Sequence, residues 1–372
     1  MVTCAPNHPR GIVYGGYRNR LWQREAQEGI QVIRLWTFVT ANEGFFKRTL
    51  NYVSFFAVCV LAAPFLPKAD VVLSTSPQFF NGLAGYPVSR LKRAPWVLEI
   101  RDLWPESIVV VGSLKSPVLI RLLERLELFA YRRADAIVPV TDSFKRYMLE
   151  KGIAGDKIEV IKNGVNASFF QPYRGDNALR KQMGLEGRFV VAYIGTHGLA
   201  HGLDTVLDAA ALLRGNPQIV FLLIGDGAER KRLLQLRDAR GLSNVVMVEQ
   251  QPKANMPIVW DLSSASVVHL KKSPLFKTVI PSKIFESMAM ERPILLGVEG
   301  EAAQIVSQAD AGVCFEPENA QQLADAVLRL ASDSESARQM GVRGRRYVME
   351  HFDRERLAER YAGLLVRTAA GA

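Results

Sequence analysis

Short apolar runs that read as strands alternate with amphipathic runs that read as helices along almost the whole chain. That rhythm limits the possible fold more than any other feature. The candidate strands are residues 31–36, 69–75, 95–101, 134–141, 157–161, 189–195, 219–225, 245–248, 266–270, 293–296 and 312–315. Helix-like segments fall between most of them, which predicts an α/β fold of parallel sheets with helices on both faces. The rhythm restarts after about residue 165. A chain of 372 residues is also longer than one core usually serves, so two doubly wound, Rossmann-like halves are expected. Sheets of this kind bind ligands at the carboxyl ends of their strands, and the natural site between two such halves is the cleft. The expected division is a first domain at 1–165, a second at 166–350, and a terminal helix at 351–372 that packs back on the first.

Apolar residues make up 48% of the chain and charged residues 23%, the composition of a soluble globular protein rather than a disordered one. The net charge of +10 points to an anionic partner: nucleic acid, a phospholipid surface or a phosphorylated small molecule. No zinc-finger pattern, RNP motif or long Lys/Arg run is present, so nucleic acid is the weakest of the three and is not expected. Cys4, Cys59 and Cys314 are odd in number and far apart. They form no metal pattern and fit a reducing compartment. The first residues lack the charged and apolar regions of a signal peptide.

The opening segment is unusual for a domain of this class. Met1 leads directly into Val-Thr-Cys-Ala-Pro-Asn-His-Pro, a strand end and a loop. A doubly wound domain normally opens with its central strand and a Gly-rich turn into a helix. The expectation is therefore a first domain without its opening strand and helix, with unpaired edges on either side of the gap. Residues 10–20 form a loop rich in Arg, Gly and Tyr. Residues 50–66 are apolar nearly all round but fall short of the ~20 residues needed to span a bilayer. They read either as a buried core helix or as a helix dipping into one leaflet. Lys47, Arg48 and Lys68 at its ends, with Arg90, Lys92 and Arg93 nearby, would attract anionic lipid headgroups in the second case.

The stretch from Phe276 to Gly297 carries the densest chemistry. Pro281 and Ser282 read as a helix start, with Ser282 as the N-cap. Residues 283–290 are good helix formers, and Pro293 ends the run. A helix start presents free N–H groups and favours phosphate; Lys283 adds a full charge there. Glu286 shares the face of Ser282 and Lys283. Beside phosphates, a carboxylate is useful if it accepts hydrogen bonds from a diol such as a ribose. A capped surface helix with an exposed Glu fits the same spacing.

Two further regions sit at strand ends. The segment Leu98-Glu99-Ile100-Arg101-Asp102-Leu103-Trp104-Pro105-Glu106 delivers Arg101 and Asp102 where sites form in this architecture. Asp102 could accept or orient a proton, or cap the following turn. After the strand at 189–195 come Gly195-Thr196-His197-Gly198 and then His201; Gly225-Asp226-Gly227 repeats the strand–glycine pattern. These glycines let backbone approach a ligand, and His197 or His201, if protonated, could donate to a diphosphate. Asn163-Gly164 makes a tight turn expected to favour positive φ. The tail from residue 339 to 366 reads as a helix broken around Gly341, Gly344 and Phe352.

Taken together, these motifs resemble the retaining family-4 glycosyltransferases of the GT-B fold. The resemblance rests on Arg-Asp-Leu-Trp-Pro-Glu-Ser (101–107), Arg-Arg-Ala-Asp-Ala-Ile-Val-Pro (132–139) and Asn-Gly-Val-Asn (163–166). It continues through Gly-Asp-Gly (225–227), Pro-Ser-Lys-Ile-Phe-Glu (281–286) and Arg-Tyr-Val-Met-Glu-His-Phe (346–352), and covers nearly the whole chain. The branch it is most similar to is that of O-antigen and capsule enzymes, including the N-acetyl-L-fucosamine transferases. The resemblance implies a UDP-sugar donor held by the second domain and a lipid-linked saccharide as acceptor. It also implies work at the inner face of the cytoplasmic membrane, against anionic lipid, with no cofactor and no metal; no Asp-x-Asp triplet occurs in the chain. Glu286 matches the second Glu of the family's E-x7-E motif, which contacts the ribose. The first is replaced by Thr278, which puts the donor sugar in question. The Arg and Lys that often hold the diphosphate are replaced by the 196–201 region, so Gly195, Thr196, His197, Gly198, His201, Gly225, Lys277, Ser282 and Lys283 join Glu286 as donor-binding candidates. Asp102 matches the residue near the reacting carbon, and Arg101 stands where many relatives carry His. Two other readings remain open: a truncated donor-binding chain without activity, and a GT-B sugar-nucleotide epimerase.

Overall fold

Leu, Ile, Val and Phe dominate the strands of the second half, as in the six fully buried residues Ile219–Ile224. Parallel strands covered on both faces require such runs. The computed structural model describes residues 1–7, 11–40, 45–76, 78–110, 112, 114, 116–173 and 177–371. It divides into two units, Met1–Ile161 with Arg360–Ala372, and Lys162–Glu359.

The first unit holds two three-stranded sheets. In one, β1 (Val2–Cys4) runs parallel to β3 (Ile30–Leu35), and β2 (Trp22–Gln27) runs antiparallel to β3 on its other side. In the other, β4 (Val72–Thr75), β5 (Trp96–Ile100) and β6 (Ala136–Pro139) are all parallel, with β5 central. No ladder joins the two sheets among the described residues. One apolar cluster ties them instead: Val2, Cys4, Ile33 and Leu35 meet Val72, Ala84 and Val88, with Phe55 and Cys59 from the helix Phe45–Ala62. That helix buries one side. The other side leaves Phe46, Leu50, Val53 and Leu61 exposed, so a wholly buried core helix does not describe it. With the turn that follows it, this segment is by length and composition able to cross a membrane.

Two sequence expectations change here. β2 is a strand that the pattern does not show, because Trp22-Gln-Arg-Glu-Ala-Gln is a largely polar edge strand. It pairs through a tight hairpin in which Glu28 and Gly29 both take positive φ (49° and 78°), the geometry that two-residue hairpin turns prefer. Residues 157–161, expected as a strand, make only the single bridge Ile137↔Ile158.

The second unit is a six-stranded, wholly parallel sheet. Its strands are β7 (Phe189–Ile194), β8 (Ile219–Ile224), β9 (Val245–Val248), β10 (Ala265–His269), β11 (Ile294–Gly297) and β12 (Gly312–Cys314). The order is β12-β11-β10-β7-β8-β9, so the first strand of the unit is central and the winding reverses between β7 and β10. Such a reversal opens a crevice at the carboxyl ends of the strands. Helices cover both faces. One layer buries Trp260, Phe285 and Met288 against the sheet, the other Leu207, Leu233 and Val327. Each such side chain contributes roughly 1.5–3 kcal/mol by leaving water.

Gly341 and Gly344 do not break the tail; both lie inside the helix Ser334–His351. A Cβ on Gly341 would stand 2.1 Å from Glu291 O, so this glycine lets the helix approach a neighbouring backbone. The chain does break at Phe352, and the next helix is Arg354–Ala370, whose Arg367 pairs with Glu159 at 2.8 Å. Gly164 is likewise not at positive φ. A Cβ there would meet Phe352 O at 2.3 Å, so close approach and not turn geometry requires the glycine.

Candidate donor pocket and a second strand-end site

β7 and β8 each run into a glycine. Gly195 has φ 138° and Gly225 φ 153°, values that side-chain-bearing residues rarely adopt. A Cβ on Gly225 would lie 1.9 Å from Gly195 O, and one on Gly195 would lie 2.6 Å from Lys283 Cε. The two loops therefore touch backbone to backbone, with Gly195 N–H donating to Ile224 O at 2.8 Å, and the Lys283 stem lies across them.

Lys283 opens the helix Lys283–Ala289, which is anchored by buried Ile284, Phe285, Met288 and Ala289. With that face buried, Ser282, Lys283 and Glu286 line a pocket of about 720 Å³ together with Gly195, Thr196 and Gly225. The volume lies in the range of ligand-binding clefts. The expected cap is corrected: Ser282 has helical angles (φ −59°, ψ −24°) and its hydroxyl makes no capping bond. With only seven residues in the helix, its dipole is also small, and the Lys283 ammonium is the stronger positive element.

Lys283 Nζ sits 3.5 Å from the centroid of the buried Tyr193 ring, an attractive cation–π geometry. Burial pulls its ammonium down to about 7, while Glu286 pushes the other way. Burial raises Glu286 above the usual carboxylate range, against the pull of Lys283, Arg354 and Lys253. The pocket thus joins a cation that titrates near neutrality to a carboxyl group one turn further along the helix.

Several expected donor residues fall elsewhere. His197, Gly198, His201 and Lys277 do not line this pocket. His197 is fully buried, both ring nitrogens lack a partner, and burial with nearby Arg230 and Lys283 holds it down to about 4. Burial and Lys283 hold His201 down to about 3. Burial thus favours the neutral form of both rings, and the protonated form considered from the sequence is disfavoured. A buried imidazole beside a lysine cannot keep a second charge. Lys277 is turned to Glu299, Nζ to Oε1 3.1 Å. The sequence missed Lys253, Gln250 and Arg354, which also line the pocket and carry no motif around them.

In the first unit, β5 ends at Ile100 and Arg101 and Asp102 follow. Arg101 N–H donates to Ser76 Oγ at 3.3 Å, and its exposed guanidinium stands 3.9 Å from Glu99. Asp102 lines a small cavity with Ser76, Phe79, Trp104, Glu127 and Tyr131. Burial pushes its carboxyl up to about 6, and the charge of Glu106 adds to it. Phe79 and Trp104 stack beside it, 5.7 Å apart and 7° from parallel.

Comparison with known proteins settles the family. Residues 2–164 match the model described as "Glycosyl transferase 4-like domain", and residues 175–347 match "Glycosyl transferases group 1". Each half of the chain thus matches a glycosyltransferase domain family, on the GT-B fold. This glycosyltransferase is 24% identical over 340 residues to the putative colanic acid biosynthesis glycosyl transferase WcaI of Escherichia coli K12, covering 87% of this chain and 81% of WcaI. It is 29% identical over 255 residues to the probable glycosyltransferase WbjE of Pseudomonas aeruginosa, covering 66% and 62%. Among solved structures it resembles Anabaena HepE in complex with UDP (TM-score 0.70, 20% identity, 88% and 85% covered). It also resembles sucrose-phosphate synthase of Thermosynechococcus elongatus (TM-score 0.74, 20% identity, 100% and 89% covered). Both likenesses bear on the fold, two Rossmann-like α/β domains with parallel sheets.

Proposed function

We propose that this glycosyltransferase moves a sugar from a UDP-sugar to a polyprenyl-diphosphate-linked saccharide in the synthesis of an O-antigen, capsule or exopolysaccharide. The observation that carries the reading is the pocket in which Lys283 and Glu286 meet the glycine turns of β7 and β8. Lys283 and the backbone N–H groups beside it take the charge that develops on the leaving diphosphate, in a site already shaped for it. Glu286 accepts from the ribose diol. Asp102 orients the reacting end, and transfer retains the anomeric configuration without a metal. The transferred unit is a hexosyl or N-acetylhexosaminyl group, with the N-acetyl-L-fucosamine transferases as the branch in view. Support comes from the relatives: WcaI is described as a colanic acid enzyme, TuaH of Bacillus subtilis as a teichuronic acid enzyme, and HepE has been seen with UDP and UDP-glucose.

A membrane-side acceptor is favoured by the exposed row Phe46, Leu50, Val53, Leu61 and Phe65, with Lys47 and Arg48 at its start. In this reading the protein rests on anionic lipid at the inner face of the cytoplasmic membrane. The test is a radiolabelled UDP-sugar screen against lipid-linked acceptor extracts. Transfer of one sugar to the lipid fraction is expected; no transfer from any donor, or turnover of the UDP-sugar alone, would overturn it.

A further inference from the structure

The cavity beside Asp102 is closed by acid. The helix Pro117–Arg133 carries Glu127 and, one turn on, Tyr131, which are 3% and 2% exposed. Tyr131 Oη donates to Glu127 Oε1 at 2.7 Å. Tyr147, on the helix Asp142–Glu150, places its Oη 3.2 Å from Glu127 Oε2 and in short contact with Glu106 Oε1. A phenol has one proton to give. For both contacts to be hydrogen bonds, one of the two carboxyls must carry a second proton, and Glu127, 3% exposed, is the one whose burial favours it. Without that proton, a buried carboxylate would face a phenol oxygen with no hydrogen between them and a second carboxylate just beyond it. Burial and the charge of Glu106 act in the same direction, pushing Glu127 up to about 8, while Tyr131, Tyr147 and Lys151 pull it down.

The chain of contacts leads to Asp102. Glu106 begins the short helix Glu106–Val110 straight after the turn of residues 102–105, four residues along the chain from Asp102. We infer that Glu127, held as a neutral acid, is a positioning residue: through Tyr147 and Glu106 it anchors the turn that carries Asp102 and so sets the aim of that carboxylate. The inference rests on the reading of Asp102 in sugar transfer.

The pH dependence has a defined sign. Glu127 keeps its proton in the folded chain to about 8, against 4.5 for an ordinary glutamate. The ordered turn is therefore present below about 8 and is lost as pH rises through it, when Glu106 and Glu127 would both be charged. The groups facing Glu127 are Glu106, Tyr131, Tyr147 and Lys151, with Asp102 lining the same cavity.

The experiment measures transfer by the full chain across the neutral and alkaline range, together with melting temperature and the infrared carbonyl band of protonated carboxyl groups. Glu127→Ala should lower kcat about 10- to 100-fold, the scale of a misaimed reacting group, with the donor KM unchanged. Glu127→Gln, which keeps the shape and the donor of the neutral acid, should restore most of that turnover and remove the alkaline decline. A carbonyl band present in the native chain at pH 7 and missing in Glu127→Gln would place the proton on Glu127. The inference is overturned if Glu127→Gln is as damaged as Glu127→Ala at equal melting temperature, if the alkaline decline persists in it, or if the native band is absent. An undiminished kcat in Asp102→Asn would instead remove the role of Asp102, while the infrared band would still report on Glu127.

Discussion

The two units each place ionisable groups at the carboxyl end of a parallel sheet, yet the two places are built in opposite ways. Beyond β7 and β8 the backbone does most of the shaping. Glycines let the loops cross at contact distance, the pocket is wide, and Lys283 is its central charge. Beyond β5 side chains do the shaping. Aromatic rings close a small cavity, and carboxyl and phenol groups bond one another. Burial acts on both, lowering the lysine to about 7 and raising Asp102 to about 6. The first site is thereby suited to take up an anion, the second to hold and orient protons. The same topological rule that puts both at strand ends leaves the chemistry to the side chains present.

The comparison breaks first at Asp102. Asp102→Asn should cut turnover by about 100-fold or more, as removal of a general acid–base group does, and leave UDP affinity alone; calorimetry and initial rates on one preparation decide it. Equal loss of both would make Asp102 part of the scaffold. Lys283→Met tests the other pole. It removes a charge-assisted contact worth about 1.5–3 kcal/mol, so UDP should bind about 10- to 100-fold more weakly, and an unchanged Kd would take the diphosphate away from Lys283. Glu286→Ala should weaken UDP by roughly 10-fold by the same scale and weaken the 2′-deoxy nucleotide less. Equal losses for the two would remove the diol.

The smallest effect is with pH. Lys283 is charged below about 7 and neutral above it, and a diphosphate favours the charged form. UDP affinity should therefore fall from pH 6 to pH 8, by at most about tenfold, the limit one titrating group allows. Above pH 7 binding should take up a proton, seen as a heat that varies with the buffer. Lys283→Met should abolish both effects; if they persist, another group is titrating.

Sequence pattern carried the second sheet well, because strands buried on both faces are mostly apolar. It carried the first less well. The polar edge strand Trp22–Gln27 has no such constraint, and residues 157–161 look like a strand but make one bridge. At the pocket, Ser282, Lys283 and Glu286 were legible as neighbours because helical spacing puts them on one face. Lys253 and Arg354 come from distant elements, and no local spacing announces them.

What the chain's own order of residues determined is the class of fold, the two-part organisation, and the strand ends at which glycines and acids would stand. These follow from short-range rules of periodicity and backbone freedom. The tertiary structure decided which charges are disfavoured: burial works against a proton on His197 and His201, Lys283 lies over Tyr193 and is pulled down by burial, and Glu127 is buried among Glu106, Tyr131 and Tyr147. A proton's affinity depends on the solvent and charges around the group in three dimensions, and residues far apart in the chain supply most of both.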